Sequence, residues 1–208
     1  MDTTFDRGFW DGRWTQVLRE HADVVARRPP NAYLTSLDLP PGTALDAGCG
    51  HGAETLWLAG RGWHVTAVDF SAAALTHARA AAKAAGVADR VDWVEGDLGV
   101  WAPEQARYDL VVCLYVHVAG SVTEMVRRMA QGVAPGGTLL LVGHQPVDPA
   151  TGEATAAAGQ VQVSVADAVG ALDGWEFVVA EERPRATGGG VDAVIRARKP
   201  TDASGTRA

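Results

Sequence analysis

A short turn rich in glycine constrains this chain more than any other feature of its sequence. Gly48-Cys49-Gly50-His51-Gly52 follows Thr43 to Asp46, a segment typical of a buried strand, and precedes a helical segment, Ala53 to Ala59. Glycines at a strand-to-helix turn let a ligand lie against bare backbone at the helix N-terminus, where side chains would obstruct it. The turn therefore predicts a site for an adenosine-bearing ligand.

Apolar segments of strand length alternate with helical segments along the chain, which predicts an α/β fold: a Rossmann-like, doubly wound, mostly parallel sheet. The last two strands are joined by Pro184 to Gly190, a connection too short for a parallel crossover, so we expect them to pair antiparallel. Seven strands are predicted, over Thr43–Asp46, His64–Asp69, Val91–Glu95, Tyr108–Tyr115, Thr138–Val142, Trp175–Glu182 and Val191–Lys199.

Helices are predicted ahead of the first strand and in four of the six intervals between strands. Ser71 and Ser121 each fit an N-cap position, and Pro135-Gly136-Gly137 is expected to separate the helix after Ser121 from the fifth strand. The predicted helices span Phe5 to Arg28 (one helix or two), Ala53 to Ala59, Ser71 to Ala85, Ser121 to about Val133, and Ser164 to Leu172.

Composition excludes several classes of partner and location. The 208 residues include 18 Lys and Arg against 25 Asp and Glu, a formal net charge of -7, which argues against a protein that binds nucleic acid by neutralising phosphates. Met1 to Asp6 lacks the basic and then apolar pattern of a secretory signal, and no apolar run approaches the roughly 20 residues of a membrane span. Two cysteines, Cys49 and Cys113, fit free thiols in the cytoplasm.

An acidic residue lies where a ribose-binding group is expected. Asp69 ends the second predicted strand about 20 residues after the glycine turn, so its carboxylate can accept hydrogen bonds from both ribose hydroxyls. Dinucleotide enzymes share this arrangement, and Gly48, Gly50 and Ala53 also fit their Gly-x-Gly-x-x-Gly/Ala pattern. The glycines alone leave a nicotinamide cofactor possible.

From Pro40 to Lys199 the chain resembles the class I S-adenosylmethionine-dependent methyltransferases. Several motifs carry the resemblance in the order that family has them, and the antiparallel strand pair at the end also fits it. The motifs are Asp46 to Gly52, Asp69, Gly96-Asp97-Leu98, Tyr108 to Val112, and Ala134 to Leu139.

The resemblance implies that S-adenosylmethionine is the cofactor and S-adenosylhomocysteine the product. The methionine portion would lie along the glycine turn with its ammonium group near Asp46, the ribose at Asp69, and the adenine against Asp97 and the backbone of Leu98. Cys49 is interpreted as a small residue that fills the turn rather than as a nucleophile. The implied cofactor contacts are Asp46, Gly48, Cys49, Gly50, Asp69, Phe70, Asp97, Leu98 and Tyr115.

Two N-terminal tryptophans are a further candidate for a cofactor contact. Trp10 and Trp14 share one face of a predicted helix because they are four residues apart. Their spacing resembles the Trp-x-x-x-Trp segment with which thiopurine, thiol and halide methyltransferases cover the cofactor. The alternative is that both rings only pack the helix onto the sheet. The other tryptophans are interpreted as core or loop packing, with Trp101 the best placed of them to touch adenine.

Three residues at the carboxyl ends of predicted strands are candidates for catalysis, since open α/β sheets bind ligands at that edge. Tyr115 and His117 follow the fourth strand and His144 follows the fifth. A base is needed only by an acceptor that has to lose a proton, and each histidine could instead be a hydrogen-bonded loop residue. The other histidines lack the spacing of a metal site, and no metal is expected.

We expect an enzyme that transfers a methyl group to a small molecule, with a thiol or other soft nucleophile favoured by the tryptophan pair. The alternatives are an O- or N-methyltransferase that uses a histidine base, an NAD(P)-dependent oxidoreductase, and a module that binds an adenosine ligand without catalysis. The expected organisation is a helical lid segment over residues 1–39, a cofactor-binding domain over 40–200 and a disordered tail over 201–208. The protein is expected to be a monomer or a homodimer.

Overall fold

The computed structural model describes residues 7–148, 150–155, 161–185 and 190–201. The chain forms two compact units, Met1–Trp101 and Ala102–Ala208. In the described residues the helices are α1 (Arg7–Ala26), α2 (Ala32–Thr35), α3 (Ala53–Gly60), α4 (Ala72–Ala84), α5 (Val122–Gly132) and α6 (Val165–Ala171). The strands are β1 (Thr43–Ala47), β2 (His64–Asp69), β3 (Val91–Glu95), β4 (Tyr108–Leu114), β5 (Val133–His144), β6 (Glu176–Pro184) and β7 (Val191–Arg198).

The first unit contains three parallel strands in the order β3-β2-β1. Thr43 pairs with His64 and Ala47 with Val68, so β1 and β2 end side by side at one edge. Both strands are buried along almost their whole length, as strands covered on two faces are. Consequently the glycine turn, which follows β1, and Asp69, the last residue of β2, lie close together.

The second unit contains four strands in the order β4-β5-β7-β6. β4 and β5 are parallel, whereas β7 pairs antiparallel with both β5 and β6. The predicted antiparallel pair is therefore confirmed. His144, the last residue of β5, is the direct partner of Asp192 near the start of β7.

The strands belong to a seven-stranded mixed sheet, which confirms the predicted α/β class. The fifth strand differs from the prediction, because it begins at Val133 and includes Pro135, Gly136 and Gly137. These residues still interrupt the pairing: the partner of Tyr108 is Val133, whereas that of Leu110 is Thr138. The extra residues of β5 thus form a bulge inside the strand rather than a connection before it.

The helices agree with the predicted segments except at two places. α2 is an additional short helix, and the N-terminal helix is kinked at His21, whose φ and ψ are -140° and 30°. The Ser71 hydroxyl accepts a hydrogen bond from the backbone N–H of Ala74 in the first turn of α4. The Ser121 hydroxyl accepts one from Glu124 in the first turn of α5, so both serines are N-caps. The predicted tail lies outside the described residues except for Thr201. No helix in the described parts of the chain is long and apolar enough to cross a membrane.

Gly143 allows a close approach between β5 and the segment before α6. A Cβ atom at this position would lie 2.5 Å from the carbonyl oxygen of Val163 and 3.1 Å from its nitrogen. The Gln145 side chain adds a hydrogen bond of 3.2 Å to the same carbonyl. This contact brings Gln162, the neighbour of Val163, beside the end of β5.

Gly143→Ala is expected to lower the free energy of unfolding by about 1–3 kcal/mol, because the new methyl group would overlap backbone atoms that cannot rotate away. Gly170→Ala is the matched control. Its Cβ would meet nothing within 4 Å inside α6, so it should stabilise the protein by about 0.5–1 kcal/mol. Chemical denaturation of both variants measures the difference, and equal stabilities would contradict this packing.

Candidate functional site

The glycine turn folds back onto the end of β2. Gly48, Gly50 and Gly52 have φ values of 84°, 50° and 89°, which side chains strongly disfavour. The N–H groups of Gly48 and Cys49 donate to the carbonyl of Val68, at 2.8 and 3.0 Å. The turn is thereby fixed next to Asp69.

Asp69 is buried at the end of β2 and accepts two backbone hydrogen bonds. Its Oδ2 accepts from the Gly50 N–H and its Oδ1 from the Ser71 N–H, each at 2.9 Å. Burial raises the pKa of Asp69, while the N–H groups of Ser71, Gly50 and Phe70 oppose the rise. A carboxylate has about four acceptor positions, so both oxygens can still accept from ribose hydroxyls.

Asp46 is a second buried carboxyl group, 3% exposed, near the end of β1. The Thr55 hydroxyl donates to its Oδ2 at 2.5 Å. Burial, aided by the negative charge of Glu54, raises the pKa of Asp46 to about 8. Burial also raises the pKa of the Cys49 thiol, and a protonated, buried thiol is a poor nucleophile.

The N-terminal helix lies across the turn. A Cβ atom at Gly50 would come within 2.8 Å of Cζ2 of Trp14, and the Trp14 ring packs on His51 with 5.6 Å between ring centroids. Asp11 accepts a 2.7 Å hydrogen bond from the Ser71 hydroxyl. Trp14 therefore contacts the turn, and α1 is also fixed to the cap of α4.

Trp10 has different neighbours in α1. Its ring meets Phe9 edge-on, with centroids 5.2 Å apart, and Arg13 lies 5.9 Å from the ring centroid.

His51 beneath Trp14 is partly buried, and this burial lowers the pKa of His51 to about 4. A neutral imidazole and an indole thus border the turn.

The loop after β3 holds the residues implied for adenine. Asp97 is exposed, and its Oδ1 accepts the Gly99 N–H at 2.8 Å, while Leu98 is buried. Gly96 faces Trp101, since a Cβ there would lie 3.0 Å from Cδ1 of the indole. Trp101 thus supports this loop through Gly96.

The first unit fits S-adenosylmethionine on its own geometry. The backbone of the turn adjoins the carboxyl group of Asp69, and Asp46 lies just before the turn. The Trp14 ring packs directly on Gly50, where a Cβ atom would overlap it. Carboxylates suit the cofactor's ammonium group and ribose hydroxyls. In the described residues no cluster of three or more His, Cys, Asp or Glu side chains could hold a metal ion.

In the second unit, two of the three catalytic candidates contact Asp192. The Tyr115 hydroxyl donates to Oδ2 of Asp192 at 3.0 Å, and Nδ1 of His144 lies 2.8 Å from Oδ1. The rings of Tyr115 and His144 stack with centroids 4.1 Å apart. The His144 side chain is 25% exposed, whereas that of Asp192 is 2% exposed.

His117 joins the same group through Gln162. The Gln162 Oε1 accepts the backbone N–H of His144 at 2.6 Å, and its Nε2 lies 2.7 Å from Nε2 of His117. Burial, together with the nearby His144, lowers the pKa of His117 to about 4. His117 is therefore a neutral imidazole near pH 7.

Sequence reasoning missed Asp192 and Gln162. Gln162 lies in a connection without a recognisable motif, and the close approach at Gly143 brings it to His144. Asp192 did carry a signal, since it is the single charged residue in the apolar run from Val191 to Ile195. A buried carboxylate in such a run requires partners, which is a hint of a site.

Parts of this chain are similar to known methyltransferases. Residues 44–137 match the family described as "Methyltransferase domain". The chain is 35% identical over 111 residues, half of its length, to a ribosomal RNA small subunit methyltransferase C from Alcanivorax borkumensis. It is 32% identical over 136 residues, 62% of its length, to a trans-aconitate 2-methyltransferase from Paracidovorax citrulli. These matches span 33% and 49% of the two relatives.

Solved structures show the same fold. A SAM-dependent methyltransferase from Methanosarcina mazei superimposes with a TM-score of 0.64 at 18% identity. The match covers 84% of this chain and all of that one. The predicted Rossmann-like fold is therefore confirmed by an independent structure.

The raised pKa of Asp46 predicts that cofactor binding releases a proton. With a pKa of about 8, its carboxyl group is mostly protonated at pH 7, and a bound ammonium group would favour the ionised form. Binding of S-adenosylhomocysteine, which keeps the ammonium end, should therefore release a proton. Calorimetry in phosphate and Tris buffers should give different enthalpies, and Asp46→Asn should abolish the difference. Equal enthalpies for the unaltered protein would contradict the assignment.

The lowered pKa of His117 predicts how the stability of the protein changes with pH. Its NMR titration, assigned with His117→Gln, should have a midpoint near pH 4 rather than near 6.5. The unfolded chain then takes up this proton first, so the contribution of His117 to stability falls as pH decreases from about 6.5 towards 4. The stability difference between the natural protein and His117→Gln should change in that direction. A midpoint near 6.5 would contradict the burial of this ring.

Proposed function

We propose that this chain, which carries a domain of the class I S-adenosylmethionine-dependent methyltransferases, methylates a small-molecule acceptor that must lose a proton. A hydroxyl, phenol or amine is such an acceptor. The observation that carries the proposal is the contact of 2.8 Å between Nδ1 of His144 and the buried carboxylate of Asp192. A carboxylate on one ring nitrogen leaves the other nitrogen available as a base.

A small acceptor is supported by charge and by one of the relatives. The formal net charge of -7 is unfavourable for contact with a phosphate backbone, although one relative is named for ribosomal RNA. The other is named for trans-aconitate, a small acid. The cytoplasm remains the proposed location, since Cys49 and Cys113 are buried thiols.

Residues of the first unit would hold the cofactor. The backbone of the glycine turn and Asp46 would bind its amino-acid end, Asp69 the ribose, and the loop of Asp97 and Leu98 the adenine. When bound, S-adenosylmethionine supplies a methyl group that its positively charged sulfur makes electrophilic. The chain has to align the acceptor, exclude water and accept the acceptor's proton at Nε2 of His144.

A soft acceptor is the second candidate, because Trp14 lies on the glycine turn as in the lid expected from the tryptophan pair. A thiol that is already ionised needs no base. The two candidates thus differ in their dependence on His144.

Replacing His144 by Gln should separate the two candidates. For phenols and amines we expect kcat to fall by about 10²–10⁴, the usual contribution of a general base, with unchanged affinity for S-adenosylhomocysteine. Methyl transfer to an ionised thiol should change little. The assay is a screen of phenols, amines and thiols for S-adenosylhomocysteine formation.

The matched control is His64→Gln, which removes an exposed histidine from the start of β2, the end of the strand opposite Asp69. It should leave every rate unchanged. Turnover confined to thiols and unaffected by His144→Gln would support the second candidate and overturn the first. Turnover of an RNA alone would contradict both.

A further inference from the structure

Asp192 is a buried acid outside every motif of the cofactor site. It is 1% exposed and lies directly across from His144 in the antiparallel pair of β5 and β7. Moving a carboxylate out of water is costly unless its oxygens receive hydrogen bonds or charges. The groups that compensate Asp192 therefore reveal what it does.

Both carboxylate oxygens of Asp192 have polar neighbours. Nδ1 of His144 lies 2.8 Å from Oδ1, Nε of Arg185 lies 3.7 Å from the same atom, and the Tyr115 hydroxyl donates to Oδ2 at 3.0 Å. The positive charge of Arg185 favours an ionised carboxylate, which can only accept hydrogen bonds, so Nδ1 of His144 carries the proton. In a neutral imidazole the lone pair is then on Nε2.

Tyr115 reinforces this arrangement from the face of the ring. Its φ of 56° is unusual for a residue with a side chain, and its N–H donates to the Val142 carbonyl at 2.7 Å. In this conformation the phenol ring stacks on His144 while its hydroxyl reaches Asp192. Backbone strain that persists at one residue is characteristic of a functional position.

The Gln162 amide assigns a different role to His117. Because its Oε1 accepts the His144 backbone N–H, its amino group must face Nε2 of His117 and donate to it. His117 then accepts at Nε2 and carries its own proton on Nδ1. The lone pair that a base would need is occupied, which leaves His144 as the proton acceptor.

We infer that Asp192 and Tyr115 are positioning residues that hold His144 with a free lone pair on Nε2, and that the pair of Gln162 and His117 fixes the backbone of His144. This inference rests on the proposed function and names the residues through which its base acts. It also narrows the acceptor to groups whose proton leaves during the reaction. The proton passes from the acceptor to Nε2 of His144 while Nδ1 keeps its hydrogen bond to Asp192.

The test measures the tautomer of His144 directly, without any acceptor. Long-range ¹H–¹⁵N spectra of the ligand-free protein above pH 7 should show His144 protonated at Nδ1, with the signal assigned by its loss in His144→Gln. Asp192→Asn should shift the population towards the Nε2-protonated form, because an amide can donate as well as accept. A ring protonated at Nε2 in the natural protein would overturn the inference without the use of any variant.

Kinetics then tests whether the positioning matters. Asp192→Asn should reduce kcat for phenols and amines at least tenfold, with unchanged KM for the cofactor and unchanged rates for ionised thiols. Tyr115→Phe keeps the stacked ring and removes only the hydroxyl, so it should fold normally and cause a smaller, severalfold loss of kcat. Equal losses for phenols and thiols in both variants would overturn the inference.

The two levels of the proposal fail differently. If His144→Gln leaves phenol and amine methylation unchanged, the proposed function is wrong whatever the tautomer. If His144→Gln abolishes this activity but Asp192→Asn changes neither tautomer nor kcat, only the role of Asp192 is wrong.

Discussion

Buried carboxyl groups at strand ends are the constraint on which both parts of this molecule depend. Asp46 lies one residue before the end of β1, Asp69 ends β2, and Asp192 lies opposite the end of β5. Each of the three is at most 8% exposed. A buried carboxylate is costly without compensation, so the chain around each one has to supply donors or charges.

The three groups are compensated in different ways, and the differences suit different tasks. Asp69 receives backbone N–H groups, which keep it in place without filling all of its acceptor positions. Asp46 accepts one hydrogen bond, from the Thr55 hydroxyl, and burial raises its pKa. A bound cation would favour the ionised form of this carboxyl group. Asp192 accepts hydrogen bonds from the side chains of Tyr115 and His144, and it thereby orients the His144 imidazole.

Much of the fold and the first of these sites could be predicted because their signals are local. The glycine turn, Asp69 and the caps at Ser71 and Ser121 are readable within a few residues, and parallel pairing then brings turn and acid together. The start of β5 was predicted too late. A bulge at Pro135 to Gly137 keeps that segment in the strand, and its existence depends on pairing with β4.

The second site could be predicted only in part. The positions of Tyr115, His117 and His144 near strand ends make them candidates, but nothing local indicates that Asp192 pairs with His144. That contact depends on the register of an antiparallel pair formed by residues 48 positions apart. Gln162 depends in turn on the missing side chain of Gly143. Local sequence patterns do not predict contacts that depend on the register of strands far apart in the sequence or on close packing.

The roles assigned to both sites depend on S-adenosylmethionine as the ligand of the first unit. Calorimetry of the chain with S-adenosylmethionine, S-adenosylhomocysteine, NAD and NADP tests this most directly, because all four contain adenosine. Binding of the first two ligands alone is the predicted result. Binding of a nicotinamide cofactor, with no binding of S-adenosylmethionine or S-adenosylhomocysteine, would contradict the assignment of the glycine turn and every role built on it.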